Sequence, residues 1–479
     1  MAIEDGTRAL SYGALAERVL RLAGLLAAAG IREGDRVAIL SENRGEYLEV
    51  FLATALLGAT VACLSTRIAP PELAHCLALA APSFGFTSPR HGEAFAQAGA
   101  VARTLVFGDE YESALTRAAP IAEDEHSVDP ELPLLILYTS GTTGLPKGAL
   151  VSHRAEIVRN LVVRAEFGVA GDETFVAWSP LNHMGAVDNS LGALMSGGKV
   201  IVVDGFDRTR LAEIVRREAL GWLLLMPGMV GSFASELERL GVTPRGVKLC
   251  GVMADLVPPA QIAKITELLG APYANTFGAT ETGCPPCSAN LLPIGVAPLR
   301  LSKEQSRFCE LKLVDADDRE VPDGSPGELC MRGPTLFSGY FRAPEATAHD
   351  FRGGWFHMGD VFVRNPDRTL DFVDRVKYLI KSGGENIYPA EIERVLLAEP
   401  RVADAAVVRR ADEQWGEVPV AFVAVRDSSL TVEALWARCR TELARYKQPK
   451  EIRFIAFEEF PRSASGKIQR HELEKRIKA

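Results

Sequence analysis

Short apolar runs alternate with helical patterns through the first 270 positions, and no other feature narrows the fold as far. "RVAIL" (36–40), "LLILYTS" (134–140), "KVIVVD" (199–204), "WLLLMPG" (222–228) and "VKLCGVMA" (247–254) read as buried strands. Between them, "RTRLAEIVRREAL" (208–220) and "PPAQIAKITELLG" (258–270) carry apolar residues at helical spacing. The second opens on proline and stops at glycine, as helices do. Strands apolar on both faces and separated by helices belong in a largely parallel sheet covered on both sides. The expected class is α/β.

After about residue 290 the pattern changes to short strands joined by Asp-Gly and Asn-Pro-Asp turns, which reads as a small antiparallel barrel or sheet. From about 378 a compact α+β unit follows, with helices near 389–398, 431–445 and 470–477 and strands near 404–409, 418–425 and 451–457. A chain of 479 residues exceeds what one core holds. The expected division is an N-terminal body over 1–374, with its β-rich subdomain at about 290–374, and a C-terminal cap domain over 378–479.

Charge and composition remove several classes of function. A net charge of −9 argues against non-specific nucleic-acid binding and against anionic membrane surfaces. No 18-residue apolar run exists to span a bilayer, and "MAIEDGTRAL" lacks the basic start and apolar core of a signal peptide. Eight scattered cysteines suit reduced thiols better than a disulfide framework. The expectation is a cytoplasmic globular protein with no nucleic-acid partner and no membrane span.

The stretch "YTSGTTGLPKGALVSH" (138–153) follows an apolar run and precedes a helical pattern. Gly141, Gly144 and Gly148 permit close backbone approach, so successive N–H groups can face one concavity. Thr139, Ser140, Thr142 and Thr143 add hydroxyl donors, and Lys147 adds a mobile charge. The composition points to a grip on phosphate. The mononucleotide P-loop pattern requires Gly-Lys-Ser/Thr opening a helix, whereas Lys147 here precedes glycine and alanine.

This loop resembles the phosphate-loop signature of the adenylate-forming superfamily, which comprises acyl- and aryl-CoA ligases, peptide-synthetase adenylation domains and beetle luciferases. The resemblance extends in family order through "PLNHMGA" (180–186), "NTFGATETG" (275–283), "GELCMRGPTLFSGYFRAPEAT" (327–347), "GWFHMGD" (354–360), "DRVKYLIKSGGENIYPAEIE" (374–393) and "PRSASGKIQR" (461–470). It covers the chain from about residue 8 to its end, and is strongest to bacterial acyl-CoA ligases.

The resemblance implies two half-reactions: a carboxylic acid and MgATP give an acyl-adenylate and pyrophosphate, then the thiol of coenzyme A displaces AMP. It assigns Thr139, Ser140, Gly141, Thr142, Thr143, Gly144 and Lys147 to the triphosphate, and Phe277 and Gly278 to the adenine. Phe277 stands where a tyrosine is usual, which keeps a stacking face and loses a phenol. Glu281 is the implied Mg²⁺ ligand, since a lone carboxylate suits a cation that takes its other ligands from phosphate and water. Thr280 beside it is the implied hydroxyl donor to the phosphates. Read without the family, Thr280 and Glu281 could instead open a helix as its N-cap.

Asp360 and Arg375 are implied as the ribose contacts, Lys467 as the cation on the α-phosphate, and Lys377 as the hinge, within 375–377. Tyr378 follows that lysine where an acidic residue is usual. Gly383 and Gly384 match the pair lining the thiol tunnel, and His183 the residue flanking the acyl and thiol tunnels. The implied acyl pocket takes Met184, Val187 and Met253 as an apolar wall, with Gly251, Ala254, Gly278 and Ala279 leaving volume. Asp188 and Asn189 either meet a polar group of the acid or face solvent. Arg154, Arg159 and Arg164, or Lys447 and Lys450, are the basic residues on hand for a CoA phosphate. Cys284 and Cys287 have metal-ligand spacing but no second ligand pair nearby in sequence, and read as structural. The setting of Lys467 also resembles that of acetylated lysines in related ligases, which makes a protein acetyltransferase a partner to consider.

Three other readings compete with the CoA ligase. A stand-alone adenylation enzyme would load a carrier-protein phosphopantetheine. An idle nucleotide-binding member would lack turnover although Glu281, Asp360, Arg375 and Lys467 are all present. A luciferase-like oxygenase would need the same adenylation residues.

Overall fold

The computed structural model describes the chain apart from residues 7, 123–126, 140–144, 384, 463–467 and 479 and the side chains of Leu256 and Lys478. The chain forms two compact units. One contains Met1–Leu311 and Met331–Phe356; the other contains Lys312–Cys330 and His357–Ala479.

In the first unit the expected strand–helix alternation yields two sheets. One runs in the order Thr104–Val106, Phe84–Thr87, Arg36–Leu40, Thr60–Cys63, Pro133–Thr139, Lys147–Ser152. Its pairings are parallel as far as Pro133–Thr139, and the edge strand Lys147–Ser152 then returns antiparallel. The other runs Leu291–Leu292, Tyr273–Ala274, Gly246–Cys250, Ala219–Leu223, Thr174–Ala177, Lys199–Val202, Ile3–Asp5, Arg8–Leu10, with antiparallel pairs at its two ends only. Helices bury one stripe against these strands. In Tyr12–Ala28 the buried residues are Leu15, Val19, Leu22, Ala23 and Leu26, which recur every three or four positions and so share one face. Burying each leucine contributes about 1.5–3 kcal/mol, and Leu22→Ala would cost about 2–5 kcal/mol in this packed setting.

Two expected strands end early. Of "WLLLMPG" only Trp222 and Leu223 lie in a strand, Ala219–Leu223, and Pro227 opens a 3-10 turn at Pro227–Met229. The strand at Gly246–Cys250 stops at Gly251, whose φ of +75° leaves the extended region, and a 3-10 turn follows at Ala254–Leu256.

In the second unit lie most of the residues of a four-stranded sheet ordered Glu310–Val314, Pro326–Arg332, Phe356–Arg364, Leu370–Arg375. The sequence reading attached the whole β-rich segment at about 290–374 to the N-terminal body; the compact units divide it, grouping 312–330 and 357–374 with the C-terminal residues and the rest with the first unit. The rest of the unit is a sheet ordered Glu385–Ile387, Ile380–Ser382, Gly416–Val425, Val402–Asp412, with Glu451–Phe454 parallel to Gly416–Val425. Helices Pro389–Leu397, Val432–Glu442 and Arg470–Lys478 match the expected ones within a few residues.

Candidate active site

Thr139 and Lys147 are cross-strand partners at the ends of Pro133–Thr139 and Lys147–Ser152. Strands Pro133–Thr139 and Lys147–Ser152 pair antiparallel at the edge of their sheet. Ser140, Gly141, Thr142, Thr143 and Gly144 lie outside the described residues. Lys147 does not project alone: its Nζ lies 3.8 Å from the Tyr340 ring centroid and 3.5 Å from Asp350 Oδ2. Tyr340 arrives there because residues 338–341 run beside Lys147–Ser152, with Leu150 N–H donating to Gly339 O and Phe341 N–H to Gly148 O.

The phenol of Tyr340 donates to Glu281 Oε1 at 3.1 Å. Burial, and next the charge of Glu281, push its pKa up, so the group stays a donor. Glu281 lies in the turn between Phe277–Ala279 and Gly283–Cys287, so the helix N-cap reading of Thr280 and Glu281 fails; the segment is a hairpin. Phe277 is buried on its first strand. Gly278 has a backbone reason to be glycine, because a Cβ there would lie 2.0 Å from Gly283 O.

In the second unit, Asp360 and Arg375 are cross-strand partners, and Arg375 Nε donates to Asp360 Oδ1 at 3.0 Å. The two implied ribose contacts are thus adjacent on one sheet. Lys377 lies 5.0 Å from the Tyr378 ring, and burial followed by the charge of Arg375 lowers its pKa. The same Tyr378 ring carries Arg470 at 4.3 Å, and Arg470 pairs with Glu393 at 2.6 Å and Asp374 at 3.7 Å. Gly383 has a φ of +58°, and a Cβ on it would lie 2.7 Å from the Trp415 ring. Gly384 and Lys467 lie outside the described residues.

A family model for the AMP-binding enzyme matches residues 1–341, and one for the AMP-binding enzyme C-terminal domain matches 391–467. The chain belongs to the AMP-binding enzyme family. Among its curated relatives is a feruloyl-CoA synthase from Amycolatopsis sp, 36% identical over 99% of this chain and 96% of that one. An indoleacetate–CoA ligase from Aromatoleum aromaticum is 34% identical over 98% and 94%. The solved o-succinylbenzoate coenzyme A synthetase from Bacillus subtilis, in complex with ATP and magnesium ion, superposes with a TM-score of 0.86 at 26% identity. That match covers 100% of this chain and 96% of that one. The protein is an ATP-dependent acid:CoA ligase of the AMP-forming, adenylate-forming kind. Among the described residues no helix is long and apolar enough to cross a membrane.

In this AMP-binding enzyme the residues assigned to the acyl pocket have varied settings. Val187 and Ala254 are fully buried in the main core, and Met184 packs partly buried against it. The space beside Gly251 is filled, because a Cβ there would lie 2.1 Å from the Tyr273 ring; its smallness serves that ring. Met253 has a left-handed φ of 47°, and Ala279 pairs with Gly283 in the hairpin. His183 caps helix Met184–Met195, its Nδ1 accepting from Gly185 N–H at 3.4 Å. Asp188 does not face solvent. It is 8% exposed, and Arg159 Nη1 donates to its Oδ2 at 3.3 Å. The Asn189 amide donates to Gly185 O at 2.9 Å.

The basic residues reserved for a CoA phosphate are mostly engaged. Arg159 is 1% exposed, Arg154 pairs with Glu131, and Arg164 donates to the carbonyls of Val169, Ala170 and Gly192. Lys447 pairs with Glu391 at 2.8 Å, and Lys450 lies 6.0 Å from the Trp415 ring. Cys284 and Cys287 are unbridged, on the return strand of the Glu281 hairpin. Sequence reasoning missed Tyr340 and Asp350. Tyr340 sits inside a recognised motif, but pairing with Lys147 and Glu281 is a long-range contact that spacing does not encode.

Proposed function

We propose that this ligase activates an aromatic or aryl-alkanoic acid through MgATP and passes the acyl group to coenzyme A. The observation that carries the catalytic part is the Lys147–Tyr340–Glu281 chain, in which one phenol holds a cation over its ring and a lone carboxylate at its hydroxyl. Among the described residues no cluster of three or more His, Cys, Asp or Glu side chains forms a metal cage. Glu281, a lone carboxylate oriented by the Tyr340 phenol, suits Mg²⁺ that takes its other ligands from phosphate oxygens and water. Bound there, the ion would neutralise phosphate charge.

Residue by residue, Thr139, Ser140, Gly141, Thr142, Thr143, Gly144, Lys147 and Thr280 hold the triphosphate. Phe277 stacks on adenine, and Asp360 with Arg375 takes the ribose hydroxyls. A carboxylate oxygen of the acid forms a bond to the α-phosphorus as the bond to pyrophosphate breaks, and Lys467 stabilises the charge that develops there. In the second step the CoA sulfur attacks the acyl carbonyl and AMP leaves. Lys377 is the hinge between the steps, and Gly383 and Gly384 line the thiol path. The acyl pocket draws on His183, Met184, Val187, Met253, Ala254 and Ala279.

Three relatives' names support the aromatic reading, since ferulate, indoleacetate and o-succinylbenzoate all carry rings, whereas a sulfoacetate–CoA ligase at 32% identity takes a ring-free acid. We place the enzyme in the cytoplasm. A protein acetyltransferase acting on Lys467 would remove the charge used in the first step; mass spectrometry of treated enzyme should find the mark there as activity falls. Scoring AMP formation across ferulate, indoleacetate, o-succinylbenzoate and linear fatty acids, with and without CoA, tests the substrate class. Preference for the ring-bearing acids supports it; preference for linear acids overturns it.

A further inference from the structure

Arg159 points to a role beyond packing. A fully buried arginine is costly unless every N–H it turns inward meets an acceptor. Here the guanidinium reaches three separate segments: Nε donates to Thr335 O at 3.0 Å, Nη2 to Thr280 O at 2.9 Å, and Nη1 to Asp188 Oδ2 at 3.3 Å. Its aliphatic stem fills the place where a Cβ on Gly283 would lie, 2.8 Å from Arg159 Cγ.

Two of these acceptors flank one residue. Thr280 immediately precedes Glu281. Thr335 lies two residues before Phe337, whose N–H donates to Glu281 O at 2.8 Å, and five before Tyr340, whose phenol holds the Glu281 carboxylate. A single planar fork therefore pins both strips of chain that fix Glu281. The arginine sits on helix His153–Phe167, which follows directly from Lys147–Ser152, so the fork also ties that strand to the carboxylate.

The third arm ends in a compact charge cluster. Asp188 and Glu156 are both buried, and neither Glu156 oxygen nor Asp188 Oδ1 meets a donor from elsewhere in the described residues. Burial, and next the charge of Asp188, push the pKa of Glu156 well up so that it holds a proton, while Asp188 is the carboxylate paired with Arg159 at 3.3 Å. That charge anchors the guanidinium while its other two arms serve carbonyls.

We propose that Arg159, anchored by Asp188, is a positioning residue that sets Glu281 for the Mg²⁺ of MgATP. This rests on the assignment of Glu281 as the metal-binding carboxylate. Lysine keeps the charge but has no fork, and so cannot serve Thr280, Thr335 and Asp188 together.

The test compares Arg159→Lys, Asp188→Asn and Glu281→Ala with wild type. Its first readout is calorimetric binding of ATP with and without Mg²⁺; its second is pyrophosphate exchange against MgATP and free Mg²⁺. Arg159→Lys should weaken the Mg²⁺-dependent part of ATP binding by about 10- to 100-fold, the usual scale for losing a group that orients a metal ligand. Metal-free ATP binding and thioester formation from supplied acyl-adenylate should change little. Asp188→Asn should move the same quantity in the same direction by less. If Arg159→Lys yields no soluble protein, Asp188→Asn decides. Lowered thermal stability with an unchanged Mg²⁺ dependence would mean a merely structural arginine and overturn the proposal. If Glu281→Ala itself leaves Mg²⁺ dependence intact, the metal assignment has failed; if Glu281→Ala abolishes it and the other two variants do not, only the role of Arg159 has failed.

Discussion

Tyr340→Phe removes one oxygen and leaves the ring beneath Lys147. In the wild type that oxygen donates to Glu281 at 3.1 Å, and the ring centroid lies 3.8 Å from Lys147 Nζ. A hydrogen bond to a charged acceptor contributes about 1.5–3 kcal/mol, so kcat/KM for MgATP in pyrophosphate exchange should fall by about 10- to 150-fold. Because burial, and then Glu281, push the phenol pKa up, Tyr340 stays protonated across the working range, and the deficit should be flat with pH. Tyr340→Leu also removes the ring and should lose about 0.5–2 kcal/mol more through Lys147. Initial rates against MgATP at saturating acid supply the measurement. A Phe variant within twofold of wild type, with the Leu variant equally unaffected, would refute the reasoning that this chain of contacts prepares the nucleotide site.

Three more outcomes are expected. Lys467→Ala should lower adenylate formation by about two to three orders of magnitude, while CoA transfer from supplied acyl-adenylate stays near normal; equal loss in both assays would remove Lys467 from its assigned step. Gly278→Ala should yield little folded protein, since the added methyl meets a backbone carbonyl at 2.0 Å and the hairpin cannot yield cheaply; a melting temperature equal to wild type would contradict this. Glu156 is held above its ordinary value of 4.5, first by burial and then by Asp188. The folded state thus keeps a proton that the unfolded state releases, and wild type loses stability as pH rises above about 4.5. Glu156→Gln cannot titrate, so its melting temperature relative to wild type should climb from pH 5 to pH 8; a constant difference would mean the carboxyl is not perturbed.

The α/β body was legible because strands buried on both faces must be apolar throughout, and "RVAIL" forms the strand Arg36–Leu40 as read. The apolar stretch outlasts the strand ahead of the turn that Pro227 opens, and at Gly251, where φ is positive. Asp360 and Arg375 could be read from motifs and do meet across two strands. Arg159 could not be read correctly: on a helix of mixed polarity it resembles a surface arginine, and only the fold brings Thr280, Thr335 and Asp188 to its fork. The glycines assigned to pocket volume failed for a related reason. Sequence shows that Gly251 lacks a side chain, but not that the Tyr273 ring already fills the space.

The most direct test follows the phosphorus. Phosphorus NMR of the purified enzyme with ATP, Mg²⁺ and ferulate or indoleacetate should show acyl-adenylate and pyrophosphate without CoA, AMP and pyrophosphate once CoA is added, and neither ADP nor inorganic phosphate. Mass spectrometry of the same mixture should find acyl-adenylate without CoA and the acyl-CoA thioester once CoA is added. Formation of ADP and phosphate, or a thioester without AMP, would contradict an adenylate-forming acid:CoA ligase.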